Sequence, residues 1–226
     1  MSTIRVYRHT RESHIEVVID DGPIDWEMKA HLKTPLPFFN HMLEHIAWRS
    51  GLNVQATARL DGFFLAHVIT EDTGTALGKA IDTYLEENIN QGMVGYGFAY
   101  GTIDESLARV VLSFEKRALF SFDPGPVVLP EETEGIKSED LIAFFEGFAQ
   151  GARATVHLDL LKGRSGHGHH IWEAAFRAFG QALSDVLRRD PRRSGMTPGV
   201  AGAIHFSVDV KTALDGNTRQ TNDKGV

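Results

Sequence analysis

The sequence predicts an α+β fold in which one half-domain is used twice. Each copy is a four-stranded mixed β-sheet backed by two α-helices, and the copies are related by a pseudo-two-fold axis. Three observations lead there. Strand-like and helix-like runs follow the same order along both halves of the 226 residues. A His/Glu box, His169-His170-x-x-Glu173, has a faded copy at His67-Val68-x-x-Glu71, 102 positions earlier (169 − 67). The same spacing holds without a gap across two helices and a strand: Leu43 falls on Phe145, Ala47 on Ala149, Leu77 on Phe179, Gly78 on Gly180 and Ile81 on Leu183. A period this long marks a duplicated half-domain and not a solenoid, whose repeats span about 20–50 residues. The halves are 1–92 and 93–192, with 193–226 as a tail.

In chain order, residues 3–9, 14–20 and 24–32 carry Val, Ile and Trp in partly alternating patterns. Turn formers such as Asp20-Asp21-Gly22-Pro23 separate them, so they read as antiparallel strands. Pro35 and Pro37 precede an apolar helical pattern, Phe38-Phe-Asn-His-Met-Leu-Glu-His-Ile-Ala47, that ends near Gly51. Leu52–Leu60 alternates as a strand with one wet face, and 67–88 reads as a long helix. Gly74 and Gly78 each cost that helix about 1 kcal/mol relative to Ala, which points to close packing or a functional need. The second half repeats the plan. Phe98–Ile103, Leu107–Phe114 and Ala118–Phe122 are strands, and a Pro/Glu-rich connection leads to a helix capped by Ser138-Glu-Asp. Thr155–Leu161 is a further strand, and the His/Glu box opens the last helix. In the tail, Ala203–Val210 reads as an extra strand.

Composition narrows the function. Hydrophobic content of 42% and charged content of 23% are those of an ordinary soluble globular chain. A net charge of −7 leaves no basic surplus for phosphate neutralisation, which argues against nucleic acid as partner. No apolar run of about 18 residues appears, so no membrane span is expected. The N-terminus lacks a signal-peptide core, and a cytoplasmic location follows as the default. With no cysteine and 11 histidines, any metal must be held by imidazole and carboxylate.

On a helix His169 and Glu173 share a face, while His170 is turned away by about a quarter of the circumference. His67 and Glu71 share a face in the same way. The alternative for either box is a solvated, His-rich helix start. Two histidines lack a counterpart across the repeat: His170 falls on Val68, and His41 falls on Ala143. If His41 serves its own half, one site comprises His41, His67, Glu71 and His170. The other then keeps only His169 and Glu173, and both losses fall in it. Three imidazoles and a carboxylate suit a borderline divalent ion such as Mn, Fe or Zn. His9, His14, His31 and His205 read as surface residues. His45, one turn after His41, either extends that site or faces solvent. His167 is either a flexible replacement ligand or a loop residue, and Asp104-Glu105 either polarises substrate or caps a turn. Trp172 and Phe176 read as core.

These residues resemble the imidazoleglycerol-phosphate dehydratase family. The resemblance rests on Arg8-His-Thr-Arg-Glu-Ser13, Phe39-Asn-His-Met-Leu43, His67-Val-Ile-Thr-Glu-Asp72, Ile103-Asp-Glu-Ser-Leu107, Lys116-Arg117 and His169-His-Ile-Trp-Glu-Ala-Ala-Phe-Arg177, in family order over nearly the whole chain. It implies a manganese-dependent lyase of histidine biosynthesis with two metals per site and ligands shared between neighbouring subunits. It also implies a large hollow homo-oligomer (a 24-mer in the family) and a small, imidazole-bearing, phosphorylated substrate. By the same resemblance Glu12, Glu71 and Glu173 are catalytic, and Arg117 and Lys224 bind substrate. His41, His67, Glu71, His169, His170 and Glu173 are the metal ligands.

The departures fall on functional positions. The family's Asp-His-Met is Asn40-His41-Met42 here, its Asp-His-His is Ala66-His67-Val68, and a ligand His is replaced by Ala143. An Arg that the family places before Tyr/Phe-Gly is Gly95. The family's Pro-Ser-Ser-Lys-Gly segment is absent after Arg193. Thr221-Asn-Asp-Lys224-Gly-Val226 is either that segment displaced by an insertion or a frayed polar tail. Three readings result: a hydro-lyase with one degenerate metal site, a paralogue acting on a less anionic substrate, or a non-catalytic shell or binding protein stabilised by metal.

Overall fold

The computed structural model describes residues 1–210 and 219–223. The first half runs β1 (Thr3–His9), β2 (Ser13–Asp20), β3 (Leu32–Lys33), α1 (Pro37–Ser50), β4 (Asn53–Leu60) and α2 (Ala66–Glu87). The second runs β5 (Tyr96–Ile103), β6 (Ser106–Ser113), β7 (Leu119–Asp123), a small hairpin of β8 (Glu132–Thr133) and β9 (Ile136–Lys137), α3 (Ser138–Ala152), β10 (Thr155–Lys162) and α4 (Gly168–Val186). The sheets have matching orders, β1-β2-β4-β3 and β5-β6-β10-β7. In each, the first three strands pair antiparallel and the last joins parallel. The fold is therefore the duplicated α+β unit expected from the repeat. The opening hairpins lie 93 positions apart (106 − 13), whereas β4 and β10 lie 102 apart. The β8–β9 hairpin, inserted between β7 and α3, lies within the segment where the spacing changes.

Strand alternation explains the layering. On β6, Ala108, Val110 and Leu112 are fully buried under the helices, while Arg109 reaches outward to Asp159 on β10. Between sheets and helices lies a phenylalanine-rich core: Phe39, Phe144, Phe145, Phe148, Phe176 and Phe179, all fully buried and in mutual edge or stacked contact. Trp172 is buried beside it, its indole N–H donating to Ser138 Oγ at 3.2 Å.

The helices pack across the halves. α2 lies on α3, and α1 lies on α4. The α2–α3 contact is made backbone to backbone. A Cβ on Gly74 would sit 2.1 Å from the Phe144 carbonyl oxygen, and one on Gly78 2.3 Å from that of Phe148. Reciprocally, a Cβ on Gly147 would sit 2.3 Å from the Glu71 carbonyl oxygen, and one on Gly151 2.0 Å from that of Thr75. Close packing is thus the reason for two glycines inside α2.

Two expectations need correcting. Residues 24–32 are not a strand: Asp25 accepts the Glu27 N–H at 2.9 Å and turns the chain into a 3-10 helix over Met28–His31. Only Leu32–Lys33 pair, parallel to β4. Ser138 does not cap α3, because its hydroxyl donates to the Pro130 carbonyl at 2.7 Å and accepts from Trp172. The Pro/Glu-rich connection folds into the β8–β9 hairpin around Gly135 at φ 82°. In the tail, Phe206–Val210 forms the expected extra strand, paired with Arg219–Asp223. No helix among the described residues is long and apolar enough to cross a membrane.

Candidate metal centre

Two i,i+4 pairs face each other where α1 meets α4. His41 and His45 lie one turn apart on α1, as do His169 and Glu173 on α4. His45 Nε2 is 3.1 Å from Glu173 Oε1, His169 Nε2 is 3.2 Å from Glu173 Oε2, and His41 Nε2 is 3.9 Å from that same oxygen. The Nε2 atoms of His41 and His45 are 3.3 Å apart. Glu173 is only 4% exposed, so its charge must be compensated inside the protein. Arg177, a turn further along α4, ion-pairs with it and also donates to the Thr102 carbonyl at 3.0 Å.

The surroundings orient these rings. Glu134, from the β8–β9 turn, holds His169 Nδ1 at 2.5 Å, and Glu44 lies 3.3 Å from His41 Nδ1. With Nδ1–H committed to a carboxylate, the Nε2 lone pair is left facing Glu173. The ring of Phe38 lies 5.2 Å from that of His169. Burial pushes His45 down to about 4 against the attraction of Glu173, so at neutral pH it is an uncharged imidazole, the form that ligates metals. Donor atoms bound to one ion at about 2.0–2.2 Å stand about 3–3.5 Å from each other. The 3.1–3.3 Å separations have that size.

A second cluster lies where α2 meets α3. His67 Nε2 is 3.5 Å from Glu71 Oε2, and its Nδ1 is 3.4 Å from Asp140 Oδ1. Burial raises the Asp140 carboxyl, opposed by the nearby His67. Ala143, one turn after Asp140 and buried, occupies the place that His41 takes on α1. A third cluster lies at the β5–β6 turn. Glu105 Oε1 is 3.0 Å from His167 Nδ1 and 3.3 Å from His170 Nδ1, and Asp104 is 3.9 Å from His170. Among the described residues, His41, His45 and Glu173 form one group able to hold a metal ion, and Glu105, His167 and His170 form another.

This geometry revises the grouping expected from the halves. His41 joins Glu173 and His169 across the repeat and is not beside His67 and Glu71; His170 groups instead with Glu105 and His167. The ligand loss at Ala143 falls beside His67, so His169 and Glu173 belong to the better-furnished cluster and not to the depleted one. The reason is helix pairing: α1 packs on α4, not on α2. Asn40 does not orient His41. Its side chain instead ties down the loop before α1, accepting from Thr34 N–H and Oγ–H and donating to the Thr34 carbonyl. Glu12 is exposed in the β1–β2 turn, at the position that Glu105 takes in the β5–β6 turn. Arg117 is exposed beside Thr155, at the opposite end of β10 from the α4 histidines, and lines a hollow with Ser113, Glu115 and Leu119. Lys224 lies outside the described residues. Sequence reasoning left His45 undecided and missed Glu134 and Asp140. The i,i+4 spacing of His45 from His41 was the available signal, whereas Glu134 arrives from a hairpin with no local signature.

Fold and cluster together define a duplicated α+β protein with a histidine–carboxylate centre between facing helices. Residues 34–183 match the sequence profile of imidazoleglycerol-phosphate dehydratase. The dehydratase of Methylococcus capsulatus is 35% identical over 203 residues, spanning 89% of this chain and 98% of that protein. That of Nitrosomonas europaea is 35% identical over 205 residues, spanning 90% and 99%. The crystal structure of the Pyrococcus furiosus enzyme superposes with a TM-score of 0.71 at 30% identity, covering 88% of this chain and all of that one. The chain belongs to the imidazoleglycerol-phosphate dehydratase family, whose named members are carbon–oxygen lyases.

Proposed function

We propose that this chain is a metal-dependent dehydratase of histidine biosynthesis that eliminates water from the glycerol-phosphate side chain of an imidazole-bearing substrate. The observation that carries this reading is the convergence of His41, His45 and His169 on the buried Glu173, in a member of this family. The donor set fits a divalent ion, Mn by family resemblance. A bound ion of this kind supplies positive charge that stabilises the anion left when an imidazole loses a proton. The protein's own part is to hold Nε2 lone pairs in place through Glu134 and Glu44 and to keep Glu173 out of water. Glu12 and Glu71, exposed and half-exposed at the same end of the first sheet, are the carboxylates we assign to proton transfer, with Glu173 as the anchor of the centre. We assign Arg117 and Lys224 to the substrate phosphate. Arg117, being remote from its own chain's histidines, would serve a neighbouring subunit's site in a homo-oligomer. The 1–92 and 93–192 halves are taken as the two copies of the repeated unit, with 193–226 appended.

Growth of a histidine auxotroph lacking the dehydratase tests the proposal. Rescue by this chain, lost on Glu173→Gln, is expected; no rescue despite soluble expression refutes it. One observation favours a second reading, a related lyase with a less anionic substrate. Gly95, where the family places an Arg, has φ 66°, and a Cβ there would lie 2.4 Å from the Pro198 ring. The tail thus covers the position from which that side chain would reach phosphate.

A further inference from the structure

The α1–α4 cluster has one more imidazole than the repeat accounts for. His41 has its counterpart position at Ala143, and His169 and Glu173 have theirs at His67 and Glu71. His45 corresponds to Gly147, a residue with no side chain to offer. We propose that His45 is a metal ligand, and that with His41, His169 and Glu173 it makes a three-imidazole, one-carboxylate centre contained in a single chain. The inference rests on reading this cluster as a metal site.

The geometry supports a shared ion over a chance meeting of histidines. His45 Nε2 lies 3.1 Å from Glu173 Oε1 and 3.3 Å from His41 Nε2, so these three donors already surround one point, while His169 Nε2 approaches the carboxylate at its other oxygen, 3.2 Å from Oε2. The His45 side chain is 16% exposed, the most buried of the three imidazoles. His41, by contrast, is 35% exposed and His169 37% exposed, which leaves the outer side of the centre open for substrate. The repeat also explains what His45 replaces. Val68 stands where the second box has His170, so a neighbouring copy of this chain has no imidazole to offer from that position. A ligand from within the chain makes the centre independent of that loss.

The experiment is metal binding by the metal-stripped full-length protein, followed by calorimetry with Mn²⁺ and by absorption with Co²⁺, whose visible bands report ligand number. The wild type is expected to take up one tightly held ion per chain. His45→Gln is expected to bind at least about tenfold more weakly with altered Co²⁺ bands, as is His45→Ala, and free imidazole should restore the wild-type spectrum to His45→Ala. Glu173→Gln is expected to lose the site, while His31→Gln, at a surface histidine outside both metal-capable groups, leaves the spectrum unchanged. Circular dichroism of the metal-free variants confirms folding. If His45→Gln binds as tightly as wild type with the same spectrum while Glu173→Gln loses the ion, the His45 proposal fails and the metal reading stands. If the wild type takes up no ion, the metal reading itself fails.

Discussion

Replacing Gly74 by Ala tests whether α2 and α3 are in backbone contact. A Cβ built on Gly74 lies 2.1 Å from the Phe144 carbonyl oxygen and 3.0 Å from Phe148 N. A carbon approaches a carbonyl oxygen no closer than about 3.3 Å, so the helices must part by about 1 Å. The obstacle is helical backbone and cannot swing aside as a side chain would. Overpacking of this kind costs about 1–3 kcal/mol, and the rigid obstacle places it at the upper end. Ala recovers about 1 kcal/mol of helix propensity. The net expectation is a loss of about 2 kcal/mol, or about 4–8 °C in Tm at about 2–4 °C per kcal/mol. Gly180→Ala is the control. Its nearest obstacles, the Arg49 Cβ at 2.8 Å, Ile46 Cα at 2.9 Å and the His45 carbonyl oxygen at 3.0 Å, are equally fixed by helical backbone but stand farther off than the 2.1 Å at Gly74, so the loss should be smaller. Urea unfolding of the metal-free variants measures both. A Gly74→Ala protein as stable as wild type, or more so, would refute the close-contact reasoning, since propensity alone predicts stabilisation.

Ala143→His places an imidazole at the repeat position of His41, one turn from Asp140 and facing His67 and Glu71. Elemental analysis should then find an added equivalent of bound metal per chain, and no increase in a folded variant would contradict the pairing of α3 with α2. The metal-free protein should also lose stability on acidification between about pH 6.5 and 4. His45 is held down to about 4 in the folded state, so the unfolded chain binds more protons across that window, and each proton taken up there favours unfolding. Thermal unfolding of His45→Gln should show a flatter pH dependence over the same range. An identical dependence in both proteins would rule out His45 as its source.

The fold was largely legible because duplication amplifies weak patterns. The alternation of Leu52–Leu60 alone permits several architectures, but its copy at Thr155–Leu161, in register with two helices, restricts them. Strand 24–32 misled because Ile24, Trp26 and Met28 have the residue types of a strand, whereas Asp25 and Pro23 determine the turn. The site was legible in its residues and not in its grouping. Local spacing identifies which side chains share a helix face, as with His169 and Glu173. It says nothing about which helix that face meets. Assigning His41 to its own half assumed that each half packs on itself, and the core formed across the halves instead, where Phe39 of α1 meets Phe144 of α3. Glu134 was beyond reach for a related reason: it sits at φ 49° in a tight turn whose position over His169 depends on the whole second half.

Helix spacing decides where an extra ligand is permitted. At the α2–α3 contact the repeat positions are Gly74, Gly78, Gly147 and Gly151, and the backbones touch. At the α1–α4 contact the same positions are Phe176, Gly180, His45 and Arg49. Three of the four carry side chains, and the remaining glycine meets nothing closer than 2.8 Å, against 2.3 Å for Gly78. A histidine in place of Gly147 would drive its Cβ to 2.3 Å from the Glu71 carbonyl oxygen, so the tight pair cannot accept what the wider pair carries. The asymmetry between the clusters thus has a steric origin besides the histidine missing where Ala143 stands. Glycines that bring α2 and α3 together exclude a second imidazole there, and the bulk of Phe176 and Arg49 on the other side makes room for His45 over Glu173. The Ala143→His substitution alone can supply the tight cluster with one more ligand. Giving it the four donors of the α1–α4 cluster within one chain would require pulling α2 off α3.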